Sequence, residues 1–361
     1  MKVYQMLQRK PRGMEASGQT PLSLERTEYD PSLDGIRLVA TLMVLLIHIS
    51  GKGFPALVDH WWAVNVYESV SRICVPLFFM LTGALLLSRE NTILNILTRV
   101  WRVFLALLVW SCIYLIYYKT KGVEFDNWLL LILKKPVAGH MWYLYTLIGA
   151  YFFIPVLSSF FINSSIKLQL LVLFVWFIAS SVLPVLNRFV DTPFFGIDLS
   201  FFYIYAAYIL AGALIYNHLK ISRGLLILCF ALWGGATSLT ALLTWYFSKG
   251  MPINNETFYE YFSPFVVISA LSAFICIRYL SSCLCTFHFA RRALVFFGSV
   301  SFGVYLIHPL IIWTFENHGI DWHFINPWLA IPLMLVWVFF VSAFLVWCVK
   351  TVPYIRGIIP G

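Results

Sequence analysis

An all-α, polytopic membrane bundle of about ten transmembrane helices is what this sequence predicts, and three observations predict it. Of the 361 residues, 61% are hydrophobic and only 11% are charged, whereas a soluble domain carries roughly 25% charged residues. Mean hydropathy is +0.83 over the whole chain, too high for one anchor attached to a globular domain. Apolar stretches then recur along the chain with short polar breaks, most of them within the roughly 17–25 residues that a span requires. Finally, the net charge of +9, from 25 Lys+Arg against 16 Asp+Glu, sits between the apolar runs, where it orients helices in a membrane. Together these exclude a soluble enzyme, a secreted disulfide scaffold and a nucleic-acid-binding module.

Taken in order, residues 1–30 are polar and irregular and are expected to form a mobile cytoplasmic tail; residues 31–361 form the transmembrane domain. The run after the tail contains Arg37 and has no small-residue cleavage site, so it is retained as a helix. Helices are predicted over 34–50, 73–88, 101–118, 141–162, 168–186, 199–217, 224–247, 262–280, 293–315 and 328–349, with a short interfacial patch at 127–133. The first two are short and are expected inside the bundle. With the N-terminus in the cytoplasm, Lys and Arg favour the cytoplasmic segments by roughly two to one, which puts both termini inside. The exception is the loop 119–140, which leaves Lys119, Lys121, Lys134 and Lys135 outside. No repeat of fixed period and no second domain stands out.

The seven cysteines (Cys74, Cys112, Cys229, Cys276, Cys283, Cys285 and Cys348) lie almost all within apolar runs and read as small packing residues. Cys283 and Cys285 lack the spacing and the second ligand pair of a structural zinc site, so no metal is assigned.

A polar side chain inside a span needs a reason. The first helix carries Asp34, Arg37 and His48. Eleven residues at about 100° each bring Arg37 and His48 onto one face, about 16 Å apart along the axis. Asp34, one turn before Arg37, can hold its guanidinium. A charged donor near Arg37 and a proton-handling imidazole near the other end would suit a reaction across the membrane. On this helix alone, a snorkelling arginine and a hydrogen-bonded structural histidine are the more usual explanation.

The run Asp34-Gly35-Ile36-Arg37, followed ten residues later by His48, resembles the R-x10-H signature of the acyltransferase 3 family of integral membrane proteins. Val75-Pro76-Leu77-Phe78-Phe79-Met80-Leu81-Thr82-Gly83 is similar to that family's VPLFF-x-x-S-G segment, with Thr82 where serine is usual. His140-Met141-Trp142-Tyr143-Leu144 resembles its H-x-W-Y-L motif, and Ser301 to His308 its S-x-x-x-Y-L-x-H motif. The four occur in the family's order. Within the family the likeness is to bacterial inner-membrane O-acetyltransferases that modify surface glycans, such as those acting on enterobacterial common antigen. The resemblance implies transfer of an acetyl group from cytoplasmic acetyl-CoA to a sugar hydroxyl on the far side of the bacterial inner membrane.

Further residues join on that basis. His140 is expected at the outer surface beside Trp142 and Tyr143, either in an aromatic belt or in contact with a sugar. His308 should lie near the level of His48 and His140, with Tyr305 one turn below as its bonding partner. Arg72, just before the second helix, is compatible with substrate contact. Arg99 and Arg102 are neighbours at the inner end of the third helix and suit coenzyme A phosphates, or plain positive-inside anchoring.

The expected mechanism has His48 as general base or as nucleophile, with Arg37, steadied by Asp34, orienting the donor or stabilising developing charge. Acetyl-CoA serves as a substrate and no permanently bound cofactor is expected. The acceptor is a glycan or its lipid-linked precursor, the other contacts are membrane lipids, nucleic acid is excluded, and the oligomeric state is not legible. A rival class is a polytopic transporter or flippase for a glycan or lipid-linked sugar, although Pro155, Pro184, Pro264 and Pro309 interrupt spans without the paired halves such proteins often show.

Overall fold

The computed structural model describes residues 29–54, 60–89, 91–125, 127–190, 204–249, 251 and 254–352. Most of the expected tail, residues 1–28, lies outside them. Among the described residues there is no strand, and nine helical stretches are long and apolar enough to cross a membrane. The helices are α1 (Ser32–Ser50), α2 (Trp61–Ser71), α3 (Cys74–Leu86), α4 (Ile93–Thr120), α5 (Trp128–Lys134), α6 (Trp142–Asn163), α7 (Ile166–Phe177), α8 (Leu183–Asn187), α9 (Ala206–His218), α10 (Arg223–Ser248), α11 (Pro264–Leu284), α12 (His288–Asn317) and α13 (Pro327–Thr351).

Two of the expected spans change character. The second begins at Trp61, not at 73: α2 and α3 form one apolar stretch, Trp61–Leu86, bent at Arg72 and Ile73. Pro76 offers no N–H to the carbonyl of Arg72, so the helix cannot run straight through. The sequence conceals α2 because Asn65, Glu68, Ser69 and Ser71 lower its hydropathy; all four are buried in the bundle. The expected span at 199–217 appears as α9, whose 13 residues rise about 20 Å, short of a hydrocarbon core of about 30 Å. Among the described residues it is a largely buried half-length helix, so it is not one of the nine stretches long enough by themselves to cross. Residues 199–203 of that expectation lie outside the described residues.

The remaining helices follow the expectation with shifted ends. Helix α4 starts at Ile93, where the Thr92 side chain accepts from the Asn95 backbone N–H at 3.3 Å, a standard N-cap. The expected 168–186 helix is α7 and α8 joined by a π-helical turn, Ile178–Val182, beside Pro184, which removes a donor from the ladder. The patch at 127–133 is the two-turn helix α5.

The bundle has an inner set (α1, α3, α9, α11 and α12) and an outer set whose exposed faces are apolar, as with Phe152, Phe153, Leu170, Phe174, Ile227, Phe340 and Phe344. In lipid the outward face need not be polar, so helix association rests on close packing. The tightest crossing, α3 on α9, uses reciprocal glycines. A Cβ on Gly83 would fall 1.8 Å from the Ile209 carbonyl oxygen, and one on Gly212 would fall 2.0 Å from that of Met80. Only hydrogen fits at either place.

All seven cysteines are free. Cys74, Cys229 and Cys276 are packed as expected, but Cys112 and Cys283 are exposed, so the packing reading does not hold for those two.

Candidate active site

Helix α1 carries a polar group at each end, and each end faces a cavity. At the first end, Asp34 is buried because Gly298 on α12 leaves room for it; a Cβ there would lie 2.6 Å from its Oδ1. Asp34 accepts from Tyr29 and forms an ion pair with Arg37. Arg37 lines a cavity of about 250 Å³ together with Asp30, Ser88, Arg89 and Tyr216. The Tyr216 hydroxyl donates to Asp30 at 3.0 Å. Arg99 and Arg102 are exposed on α4 and line neither cavity of α1, though Tyr151 lies within electrostatic reach of both Arg99 and Arg37.

At the other end, His48 lines a cavity of about 240 Å³ with Glu68, Arg72, His140, Trp142 and Tyr261 among its walls. Tyr143 and Tyr305 complete it on the α6 and α12 sides. The two cavities share no lining residue. The same-face argument for Arg37 and His48 therefore places both beside open space, at opposite ends of one helix.

Three histidines from three segments meet here. The ring centroids of His48 and His308 are 5.1 Å apart, those of His140 and His308 5.2 Å, and those of His48 and His140 6.2 Å. The shared depth expected from the sequence is what the structure contains. Their surroundings differ. His308 is 0% exposed and His140 is 4% exposed, with each Nε2 buried and unpartnered. His48 is half-buried and reaches the cavity. Among the described residues no group of three or more His, Cys, Asp or Glu side chains is arranged to hold a metal ion.

The backbone explains how the cluster is held. Pro309 supplies no N–H for the carbonyl of Tyr305, its i−4 residue. That carbonyl instead meets His308 Nδ1 at 2.7 Å. Since a carbonyl only accepts, Nδ1 carries the proton in the neutral ring. The Tyr305 hydroxyl donates to the carbonyl oxygen of His140 at 2.6 Å, and the Tyr114 hydroxyl to that of Leu306 at 2.8 Å. Two expectations are corrected here. The Tyr305 side chain bonds His140, and only its backbone bonds His308. His140 itself is no belt residue at the outer surface: the 3₁₀ turn Gly139–Met141 turns it into the bundle, where Tyr305 and Tyr114 enclose its ring at 5.4 and 5.3 Å.

Arg72, placed at the α2–α3 bend, enters the cavity. It is paired with Glu68, and its guanidinium lies 4.4 Å from the Tyr259 ring centroid, a cation–π distance. Glu68, 1% exposed, also accepts from the Ser50 hydroxyl at 2.7 Å. The sequence reading missed Glu68 by taking 51–72 as a loop. An acidic residue four before an arginine, on a run with helical spacing, was the available signal. Tyr261 was missed as well; it stacks on Trp142 at 5.9 Å and belongs to no recognisable motif.

An imidazole, a buried carboxylate–guanidinium pair and aromatic walls therefore face one cavity, while a second arginine faces another cavity further along the same helix. Compared with known protein families, residues 30–347 match the acyltransferase 3 family, described as an acyltransferase domain. No curated protein and no solved structure matches the chain.

Proposed function

The chain belongs to the acyltransferase 3 family and is a multi-pass membrane acyltransferase; from that premise we propose that it transfers an acetyl group from cytoplasmic acetyl-CoA to a hydroxyl of a surface glycan or its lipid-linked precursor, in the bacterial inner membrane with both termini cytoplasmic. The observation that carries this reading is the position of His48: it is the most exposed of the three clustered histidines, it lines the cavity, and its helix leads back to Arg37 at the opposite cavity.

In this reading the Arg37 end faces the cytoplasm. Coenzyme A enters there, with Arg99 and Arg102 meeting its phosphates where these remain in water and Arg37, fixed by Asp34, orienting the donor. The acceptor occupies the His48 cavity against Trp142, Tyr143 and Arg72. His48 takes the acceptor's hydroxyl proton as the oxygen attacks the thioester carbonyl carbon. The C–S bond breaks, and the proton passes to the departing thiolate. His140, His308 and Tyr305 act behind His48 as positioning residues. In the nucleophilic variant of the same reaction, His48 first takes the acetyl group and then yields it to the hydroxyl.

The test is His48→Ala in the full chain, assayed for acetyl transfer from acetyl-CoA and for acetyl content of surface polysaccharide by mass spectrometry. General acid–base groups contribute about 10²–10⁴-fold, so transfer should fall by at least about a hundredfold while membrane insertion is retained. Full acetylation by that variant would remove His48 from the mechanism.

A further inference from the structure

A third cavity, about 350 Å³ in volume, opens beside the His48 cavity. Arg72 and Tyr261 line both, so a molecule in the third cavity lies next to the wall of the His48 cavity. Its other walls are aromatic: Tyr205, Tyr259 and Phe262. These rings are held in place. Tyr205 stacks on Phe79 at 4.5 Å, Tyr259 carries the Arg72 guanidinium, and Tyr261 is backed by Trp142.

Two carboxylates complete the lining, Glu256 and Glu260. They flank the 3₁₀ turn Thr257–Tyr259, and both are exposed. Glu260 is held by Arg188. Arg72 is already matched by Glu68. No such cation is paired with Glu256 among the described residues. The cavity therefore offers flat aromatic faces, carboxylate oxygens that accept hydrogen bonds from hydroxyl or ammonium groups, and an excess of negative over positive charge.

We propose that this cavity extends the acceptor site beyond the His48 cavity as a sugar subsite, and that it takes an uncharged or amine-bearing sugar ring while disfavouring a uronate. The apolar face of a pyranose lies on the tyrosines, its hydroxyls or ammonium group donate to Glu256 and Glu260, and the reacting hydroxyl points past Arg72 toward His48. Like charges brought together at a binding surface are a means of rejecting the wrong partner. The inference rests on the reaction proposed above and adds the class of acceptor.

The test measures binding apart from catalysis. Purified full-length protein in detergent is titrated with methyl glucosaminide, methyl glucoside and methyl glucuronide, with saturation-transfer NMR as the readout. The glucuronide should bind at least about tenfold more weakly than the glucosaminide. Losing a charge-assisted hydrogen bond should cost about tenfold, so Glu256→Gln should weaken glucosaminide binding by about that factor. Glu256→Gln combined with Glu260→Gln should also narrow the discrimination against the glucuronide. Glutamine at 260 keeps an acceptor for Arg188, and the exposed, singly substituted Glu256→Gln serves if the double variant is unstable. Equal binding of all three probes, no binding of any, or binding unchanged in the variants overturns the subsite. Acetyl transfer that persists with an unchanged acceptor KM in the variants overturns the subsite alone. Sugar binding as expected without any acetyl transfer by the unaltered protein counts against the reaction and leaves the subsite standing.

Discussion

The two ends of α1 are built on different plans. At the Arg37 end the polar groups satisfy one another locally: Asp34 holds Arg37 three residues away, and Tyr29 holds Asp34 five residues away. At the His48 end the partners come from distant parts of the chain: Glu68 and Arg72 at the α2–α3 bend, His140 before α6, Tyr305 and His308 on α12, and Tyr261 before α11. A local pair forms within one stretch of chain, although α12 at Gly298 and α9 at Tyr216 pack close beside it. The assembled end needs the whole bundle in place. The end where proton transfer is proposed therefore depends on more separate segments of the chain than the end where the donor would enter.

The sharpest way to break that comparison is to remove one assembled partner. Glu68 is fully buried and takes both the Arg72 guanidinium and the Ser50 hydroxyl. Glu68→Gln leaves Arg72 without a charge partner, and breaking a buried pair on one side costs about 3–5 kcal/mol. Arg72 keeps 17% side-chain exposure, which screens part of that cost. We expect kcat/KM for acetyl transfer to fall by roughly 10–100-fold and the thermal midpoint in detergent to drop. Glu68→Asp, which keeps the charge on a shorter arm, should recover part of both. An unchanged rate in Glu68→Gln would mean that the pair merely fills space.

The same contrast decides what could be read from the sequence. The all-α bundle and most of its helices followed from apolar run length, which is a local property. The Asp34–Arg37 pair followed from helical spacing, also local. What escaped were features created by the fold. Helix α2 was hidden because its polar side chains, Asn65, Glu68, Ser69 and Ser71, turn inward, the reverse of the rule by which surface helices are recognised. Helix α9 is only 13 residues long among the described residues, which an apolar run does not reveal because hydropathy records apolarity and not where a helix begins. His140, Tyr305 and His308 were selected through motifs, yet their true connections pass through backbone carbonyls. One of these had a sequence cause, since Pro309 frees the Tyr305 carbonyl. Tyr261, Glu256 and Glu260 reach their cavities from the segment between α10 and α11, where no periodicity announces them.

A milder perturbation of the assembled end sharpens the comparison. Tyr305→Phe deletes one hydroxyl that donates to the His140 carbonyl at 2.6 Å and leaves the packing volume nearly unchanged. A typical hydrogen bond is worth about 0.5–1.5 kcal/mol, which corresponds to roughly a two- to tenfold decrease. The effect should appear in kcat, with KM for acetyl-CoA unaffected, because the donor approaches from the other end of α1. A loss beyond about a hundredfold would place the hydroxyl among the reacting groups instead of behind them.

The smallest effect is expected outside the Arg37 cavity. Arg99 and Arg102 are exposed on α4, where charge interactions are weakened by water and salt. Arg99→Ala or Arg102→Ala should raise KM for acetyl-CoA by roughly fivefold or less and leave kcat unaltered. The increase should shrink as ionic strength rises, because added ions screen the same attraction in the unaltered protein. Arg37→Ala provides the contrast. Its guanidinium is fixed by a buried carboxylate and lines a cavity, so its loss should persist at high salt. If Arg99 and Arg37 variants respond identically to salt, the proposed division between an anchoring patch in water and an orienting group inside the bundle fails, and the two arginines form one continuous electrostatic surface.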